Sequence, residues 1–262
     1  MNRLGAAPVV ELRGVSKSFR IPSVRRDTVR EHLLGLVRPR TFDTLRVLDQ
    51  VHLSIRAGET VGVMGRNGSG KSTLLKILCG IYQPDAGTVV VRAAVTPILE
   101  LGIGWNPELD AVDNILVLGT VMGLRLREAR SAVDEVLAFA GLERFARLHL
   151  KHFSSGMAAR LAYAVAFKAA RGILVLDEIF AVGDADFRAR CEARYRELNA
   201  EGHTVILVSH DARVISTFCQ RAVLLEAGRI VLSDSGERVA EAYLRLLAQP
   251  PAPVRRAVAG QG

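Results

Sequence analysis

The sequence has no apolar run long enough to cross a bilayer as a helix, and its N-terminus lacks the pattern of a secretory leader. It has only three cysteines, Cys79, Cys191 and Cys219, set too far apart for a metal-ligand spacing. They read as small core residues of a reducing compartment. Sustained heptads and internal repeats are missing, which excludes long coiled-coil arms and solenoids. Lysine is scarce: the net charge of +8 rests almost wholly on arginine. A basic balance attracts anions such as nucleic acid, lipid surfaces or phosphorylated substrates. Scattered arginine in place of lysine is equally a compositional habit, so only clustered arginine points to function. At 262 residues the chain can bury about three quarters of its unfolded surface in one domain, with no need of disulfide or metal. The expectation is a soluble or peripheral cytoplasmic protein.

What the chain does contain is a complete phosphate-binding loop, Gly65-Arg66-Asn67-Gly68-Ser69-Gly70-Lys71-Ser72-Thr73. The apolar run Thr60–Met64 before it reads as a buried strand, and the periodic residues from Thr73 to Gly80 as a helix. In that context the glycines let the backbone amides turn inward at a helix N-terminus and bind polyphosphate oxygens. Lys71 would reach the terminal phosphates and the Ser72 hydroxyl would ligate Mg²⁺. The chain is expected to bind a nucleoside triphosphate.

Strands are expected at Val9–Arg13 and Val51–Ile55, flanking a basic insertion at about 20–46. Thr88–Thr96 reads as extended, Gly102–Asp113 as a loop, and Asn114–Gly123 and Glu128–Ala140 as helical. A turn at Phe153 enters an alanine-rich helix, after which strands and helices alternate up to an amphipathic helix at Gly236–Leu247. That alternation implies an α/β fold with a mainly parallel sheet between helices.

Two strand ends carry candidate chemistry. Ile173–Leu176 is followed by Asp177 and Glu178, and carboxyl ends of parallel strands face the ligand crevice. There Asp177 can hold Mg²⁺ and Glu178 can orient or deprotonate the attacking water. Thr204–Val208 ends in Ser209-His210-Asp211, where His210 can donate to the γ-phosphate as its charge redistributes.

Phe153-Ser154-Ser155-Gly156-Met157 resembles the signature sequence of the ABC ATPases, usually Leu-Ser-Gly-Gly-Gln. It also reads as an ordinary serine cap. Its place between the phosphate loop and the Asp-Glu strand makes the resemblance specific, and it spans about residues 9 to 247. It implies a P-loop NTPase cassette in one domain over residues 1–249, with a RecA-like core, a small antiparallel β lobe and a helical subdomain at about 100–155. Residues 250–262 read as a proline-rich disordered tail. The resemblance implies ATP and Mg²⁺ as cofactors, and a homodimer closed head to tail. In that dimer Ser154, Ser155 and Gly156 complete the other subunit's site and Asp184 faces the partner. Phe19 stands where an aromatic stacks on adenine. The family's usual Gln before the helical subdomain is missing, and Glu100 is the candidate to replace it beside Mg²⁺.

Leu99–Leu109, the Ser-Ser-Gly-Met turn and Glu178–Asp184 together resemble the branch that exports lipid-linked polysaccharides such as O-antigen, capsule and teichoic acid. That branch implies a membrane-spanning permease partner, docked on the segment around Trp105 and Pro107. It implies lipid-linked polysaccharide as cargo and a peripheral place on the cytoplasmic face of the inner membrane. The arginines of the insertion (Arg20, Arg25, Arg26, Arg30, Arg38, Arg40 and Arg46) would meet that membrane surface, or simply solvate an amphipathic helix. Nucleic acid is not expected, because ABC ATPases acting on it usually carry two cassettes or coiled-coil arms. The ATPase of another transporter would share all the catalytic residues. An inactive cassette is disfavoured by the presence of both Glu178 and His210.

Overall fold

Every residue of Thr60–Met64 (β3) is buried, and the strand sits inside a six-stranded sheet. A computed structural model of the chain describes residues 7–22, 42–98, 104–177, 183–248 and 256–257. The sheet runs Val95–Ile98 (β5), Ile173–Asp177 (β6), Thr204–Val208 (β7), β3, Arg221–Glu226 (β8) and Arg229–Ser235 (β9). All neighbours are parallel except the hairpin of β8 and β9. Inner parallel strands are covered on both faces, so they read as unbroken apolar runs.

Side chains alternate across the sheet and build two cores. Leu174, Leu176, Val205 and Leu207 face one way. They meet helices Ser155–Lys168 (α5), Ala185–Ala200 (α6), Ala212–Phe218 (α7) and Gly236–Leu247 (α8) through Phe167, Phe187, Ile215 and Tyr243. Ile173, Val175, Ile206 and Val208 face the other way, onto Lys71–Leu78 (α1) and the small antiparallel sheet.

That second sheet runs Arg256–Ala257 (β10), Phe42–Ile55 (β2), Val10–Pro22 (β1) and Ala86–Val91 (β4). β1 and β2 are much longer than the expected Val9–Arg13 and Val51–Ile55. They pair from Val10↔Ile55 to Pro22↔Phe42 and so extend into the insertion from both sides. Register shifts between Leu12 and Ser18 break the strict alternation, which is why periodicity stops short. The extended stretch Thr88–Thr96 divides into β4 and β5, which belong to different sheets. Residues 23–41, with Arg25, Arg26, Arg30, Arg38 and Arg40, lie outside the described residues. In the tail, Arg256 and Ala257 pair with Leu45 and Thr44.

The helical subdomain comprises Ala111–Val121 (α2), Leu126–Ser131 (α3), Val133–Ala140 (α4) and the start of α5, around Ile115, Val136, Leu137 and Leu161. The single helix expected over Glu128–Ala140 is two, because Ala132 both closes α3 and opens α4. Trp105 packs half-buried on this cluster. Asn114 is fully buried in it: its Oδ1 accepts from the Asn106 amide at 2.8 Å, and its Nδ2 donates to the carbonyls of Asn106, Leu109 and Asp110. That side chain fixes the loop that leads into the subdomain.

Asp49 joins the small sheet to the core. Its Oδ2 accepts from Arg229 Nε at 2.8 Å and its Oδ1 from Arg46 at 3.2 Å, while its amide donates to the Gly228 carbonyl. Hydrogen bonding from Arg229, then the charges of Arg229 and Arg46, outweigh burial and hold its carboxyl below the usual range. A depressed carboxyl contributes stability above its unfolded pKa and loses it as pH falls through the folded value. Asp49→Asn is therefore expected to cost about 1 kcal/mol at neutral pH, since Arg229 stands half in solvent. Denaturant unfolding at stepped pH should show the gap from the parent closing only below about pH 4.

Candidate active site

The parallel register fixes what can meet. Val63 pairs with Val208, and Val208 with Asp177. The loop after β3, Ser209-His210 after β7 and Asp177 at the end of β6 therefore share one edge of three adjacent strands. At about 4.8 Å per strand, Asp177 lies roughly 10 Å along that edge from the start of the loop.

The loop is held by close backbone approach. A Cβ on Gly65 would fall 2.2 Å from the Leu225 carbonyl oxygen, and one on Gly70 would fall 2.8 Å from that of Val47. Gly70 also has φ 107° and is the N-cap of α1, with no side-chain hydrogen bond to the helix. First-turn amides without a side-chain acceptor are open to an anion. A Cβ on Gly68 would meet nothing within 4 Å, so the tip of the loop is open. Asn67, Gly68 and Ser72 are exposed, Thr73 is half-buried, and Ser69 is buried with its carbonyl accepting from the Gly228 amide. Lys71 Nζ folds back to the carbonyls of Gly65 at 2.6 Å and Arg66 at 3.0 Å. The Arg66 side chain turns away from the loop and donates to the Leu246 carbonyl on α8. First-turn amides with no side-chain cap, an ammonium and an exposed hydroxyl are the donor set that a polyphosphate with a hard cation requires.

Asp177 is half-buried, and its carbonyl accepts from the Tyr163 hydroxyl at 3.2 Å. His210 is exposed, next to buried Ser209. Asp211 caps α7 by accepting from the Arg213 amide. Burial pushes its carboxyl up, but the Arg213 amide and guanidinium and the nearby His210 together hold it below the usual range. Glu178 and Glu100 lie outside the described residues.

The Ser-Ser-Gly turn sits apart, on the start of α5. Ser154 caps the helix, accepting from the Met157 amide at 3.2 Å, and Ser155 is exposed. A Cβ on Gly156 would meet only Ser154 Oγ, at 3.9 Å. The chain's own packing thus gives no reason for glycine there. Asp184 caps α6 and lies 3.4 Å from Arg160 of α5. The Phe187 amide, then Arg160 and Arg190, hold its carboxyl below the usual range. Its side chain is still 62% exposed, so both internal contacts leave a charged face outward.

Phe19 lies edge-on to Tyr82 at 5.5 Å, with Lys17 Nζ 5.7 Å from its ring and paired to Asp85 at 2.7 Å. Sequence reasoning missed Tyr82, although an aromatic two residues beyond the Gly80 that ends the loop's helix was a usable signal. It also missed Leu225, Gly228 and Val47. These act through backbone atoms, and nothing in their side chains marks them.

The family model for ABC transporters matches residues 48–181. The chain is 38% identical over 240 residues to ABC transporter protein AbcA of Aeromonas salmonicida, covering 92% of this chain and 77% of that one. It is 37% identical over 225 residues to the O-antigen export system ATP-binding protein RfbB of Myxococcus xanthus, covering 84% of this chain and about half (52%) of that relative. The ATP-binding cassette MJ0796, solved as a dimer bound to ADP and Pi, superposes with a TM-score of 0.70 at 24% identity, over 86% of this chain and 98% of that one. At that identity the superposition speaks for the fold.

Two glycine substitutions separate packing from function. Gly70→Ala places a methyl against the Val47 carbonyl at positive φ, and is expected to cost more than about 2 kcal/mol and to lower the melting temperature. Gly156→Ala meets open space in a helical turn, and should leave stability unchanged or raise it by up to about 1 kcal/mol. Thermal unfolding of both variants checks the contrast.

Proposed function

The chain belongs to the ABC transporter family, and on that premise we propose that it is the ATP-hydrolysing subunit driving export of a lipid-linked polysaccharide through a separate membrane subunit. The observation that carries the ATPase reading is the shared edge of β6, β7 and β3. It sets an acid, a histidine and an open amide loop on three neighbouring strand ends. The polysaccharide cargo rests on the relatives named for O-antigen export and teichoic acid export.

In this reading Lys71 leaves the Gly65 and Arg66 carbonyls for the β- and γ-phosphates of ATP, and the loop amides hold the remaining oxygens. Ser72 and Asp177 hold Mg²⁺, which supplies charge neutralisation for phosphoryl transfer. Glu178 orients the attacking water, and His210 donates to the γ-phosphate. Glu100 is the candidate for the Mg²⁺ shell from the side of the helical subdomain. Phe19, backed by Tyr82, offers a face for adenine.

A second copy of the chain supplies Ser154, Ser155 and Gly156. The vacant space at Gly156 suits a phosphate approached from outside the chain, and exposed Asp184 suits the same dimer face. Closure of two cassettes around ATP, with reopening after hydrolysis, is a two-state element that can move attached membrane subunits. Among the described residues no helix is long and apolar enough to cross a membrane; in this reading a separate permease supplies the spanning part. The cassette sits on the cytoplasmic face of the membrane.

Glu178→Gln should lower phosphate release about 10²–10⁴-fold while ATP binding persists, and should hold the subunits as an ATP-bound dimer with the permease present. Lys71→Ala should lose ATP binding itself. Hydrolysis at the parent rate in Glu178→Gln removes the assigned base. In cells lacking the gene, undecorated surfaces with polymer retained inside, restored by the parent but not by Lys71→Ala, would support the cargo. Normal surface polymer would reassign the subunit to another transporter.

A further inference from the structure

α8 ends on the phosphate loop. Arg66, the second residue of the loop, sends its guanidinium to the carbonyl of Leu246 in the last turn of that helix. The final carbonyls of a helix lack intrahelical donors and carry the negative end of the macrodipole, so a cation placed there is a cap. The helix's own last-turn cation, Arg245, points elsewhere, 3.8 Å from Glu241. The cap therefore comes from 180 residues away in sequence. Arg66 is held at its other end too, because its backbone carbonyl accepts from Lys71 Nζ at 3.0 Å. The ammonium that meets the phosphates and the guanidinium that caps α8 thus act on one residue.

The fully buried contacts of α8 with the core, Val239, Ala240 and Tyr243, lie before this last turn. Beyond them Leu246 packs half-buried on the same core, while Leu244 and Leu247 are 56% and 48% exposed, so the last turn has one apolar anchor of its own. Helix ends with little packing are the first parts to open. Here the Leu246 side chain meets the core and its carbonyl meets Arg66, so part of the order of this turn depends on the loop.

We propose that Arg66 is a positioning residue that ties the phosphate loop to the last turn of α8, so that nucleotide on the loop orders that turn and order in that turn favours nucleotide. The inference rests on the loop's binding ATP as proposed above. When Lys71 swings to the phosphates it releases the Arg66 carbonyl, and the peptide settles with its side chain still anchored on Leu246. Linkage requires the effect to be equal in both directions.

The test is hydrogen exchange of the full-length chain with and without Mg²⁺ and a hydrolysis-resistant ATP analogue, with binding measured separately by calorimetry. In the parent, nucleotide should slow exchange of the amides from Leu244 to Ala248 about fivefold. Arg66→Ala with nucleotide bound should show no slowing there, and continued slowing overturns the proposal. So does a parent that binds nucleotide without any change in that turn. A parent that binds no nucleotide overturns the ATP reading itself, and this inference with it. A variant on the helix side keeps the test open if Arg66→Ala does not bind or fold. Leu247→Gly loosens the exposed end without touching the loop, and should weaken nucleotide affinity by a similar factor; unchanged affinity refutes the tie.

Discussion

The phosphate loop depends on a socket of backbone atoms. On one side stands the carbonyl of Leu225 at the end of β8, pressed against Gly65; on the other stands Val47 of β2, pressed against Gly70. Gly228, in the turn after β8, closes the third side. Its amide donates to the Ser69 carbonyl, and its carbonyl accepts from the Asp49 amide. That turn carries positive φ at both Ala227 and Gly228, the conformation a two-residue hairpin needs to match strand twist. A Cβ on Gly228 would stand 2.5 Å from the Val47 carbonyl. The loop's shape is thus set by backbone atoms of two strands and of the turn that follows one of them. Because backbone defines the socket, glycine at three places along the chain is what lets it close.

The large arginine content has a partial structural account. Arg229 and Arg46 meet Asp49, while Arg221 meets Glu59 at 2.7 Å and the Ser54 carbonyl. These contacts stitch the small sheet to the core. Arg160 and Arg190 surround Asp184, with Arg190 also donating to the Ala138 carbonyl of the helical subdomain. Most of the remaining pairs are exposed and contribute little each. Arginine here works mainly through carboxylates, and at Arg66, Arg92, Arg190 and Arg221 through planar donors reaching backbone carbonyls, which lysine reproduces poorly.

The central sheet was legible because buried parallel strands are unmistakable runs: β3 and β7 have the expected limits, and α8 does too. The phosphate loop, Asp177 and His210 were legible because each follows such a run, and register then brings them to one edge. The small sheet was legible only where it is buried. Beyond Val15 the ribbon of β1 and β2 is largely half-exposed and bulged, and its pattern looks like a loop. The role of Asn114 was hidden as well, since a helical polar residue reads as solvated until its four hydrogen bonds are seen. Ser154 forms the cap that its sequence allows, and the role expected of it toward a second copy concerns a surface outside this chain's own packing.

β2 has a mechanical consequence. Phe42, at its beginning, is the root of the arginine-rich segment, and Val47, five residues on in the same strand, is a wall of the socket. The intervening residues are paired to β1 without interruption, from Phe42↔Pro22 through Arg46↔Ser18. A hydrogen-bonded ribbon resists bending far better than a single strand. The register shift between Arg46 and Leu48 falls at Val47, so the stiff part of the ribbon ends at the wall of the socket, a few ångströms from Gly70. The ribbon is thus a stiff arm whose hinge stands against the phosphate loop.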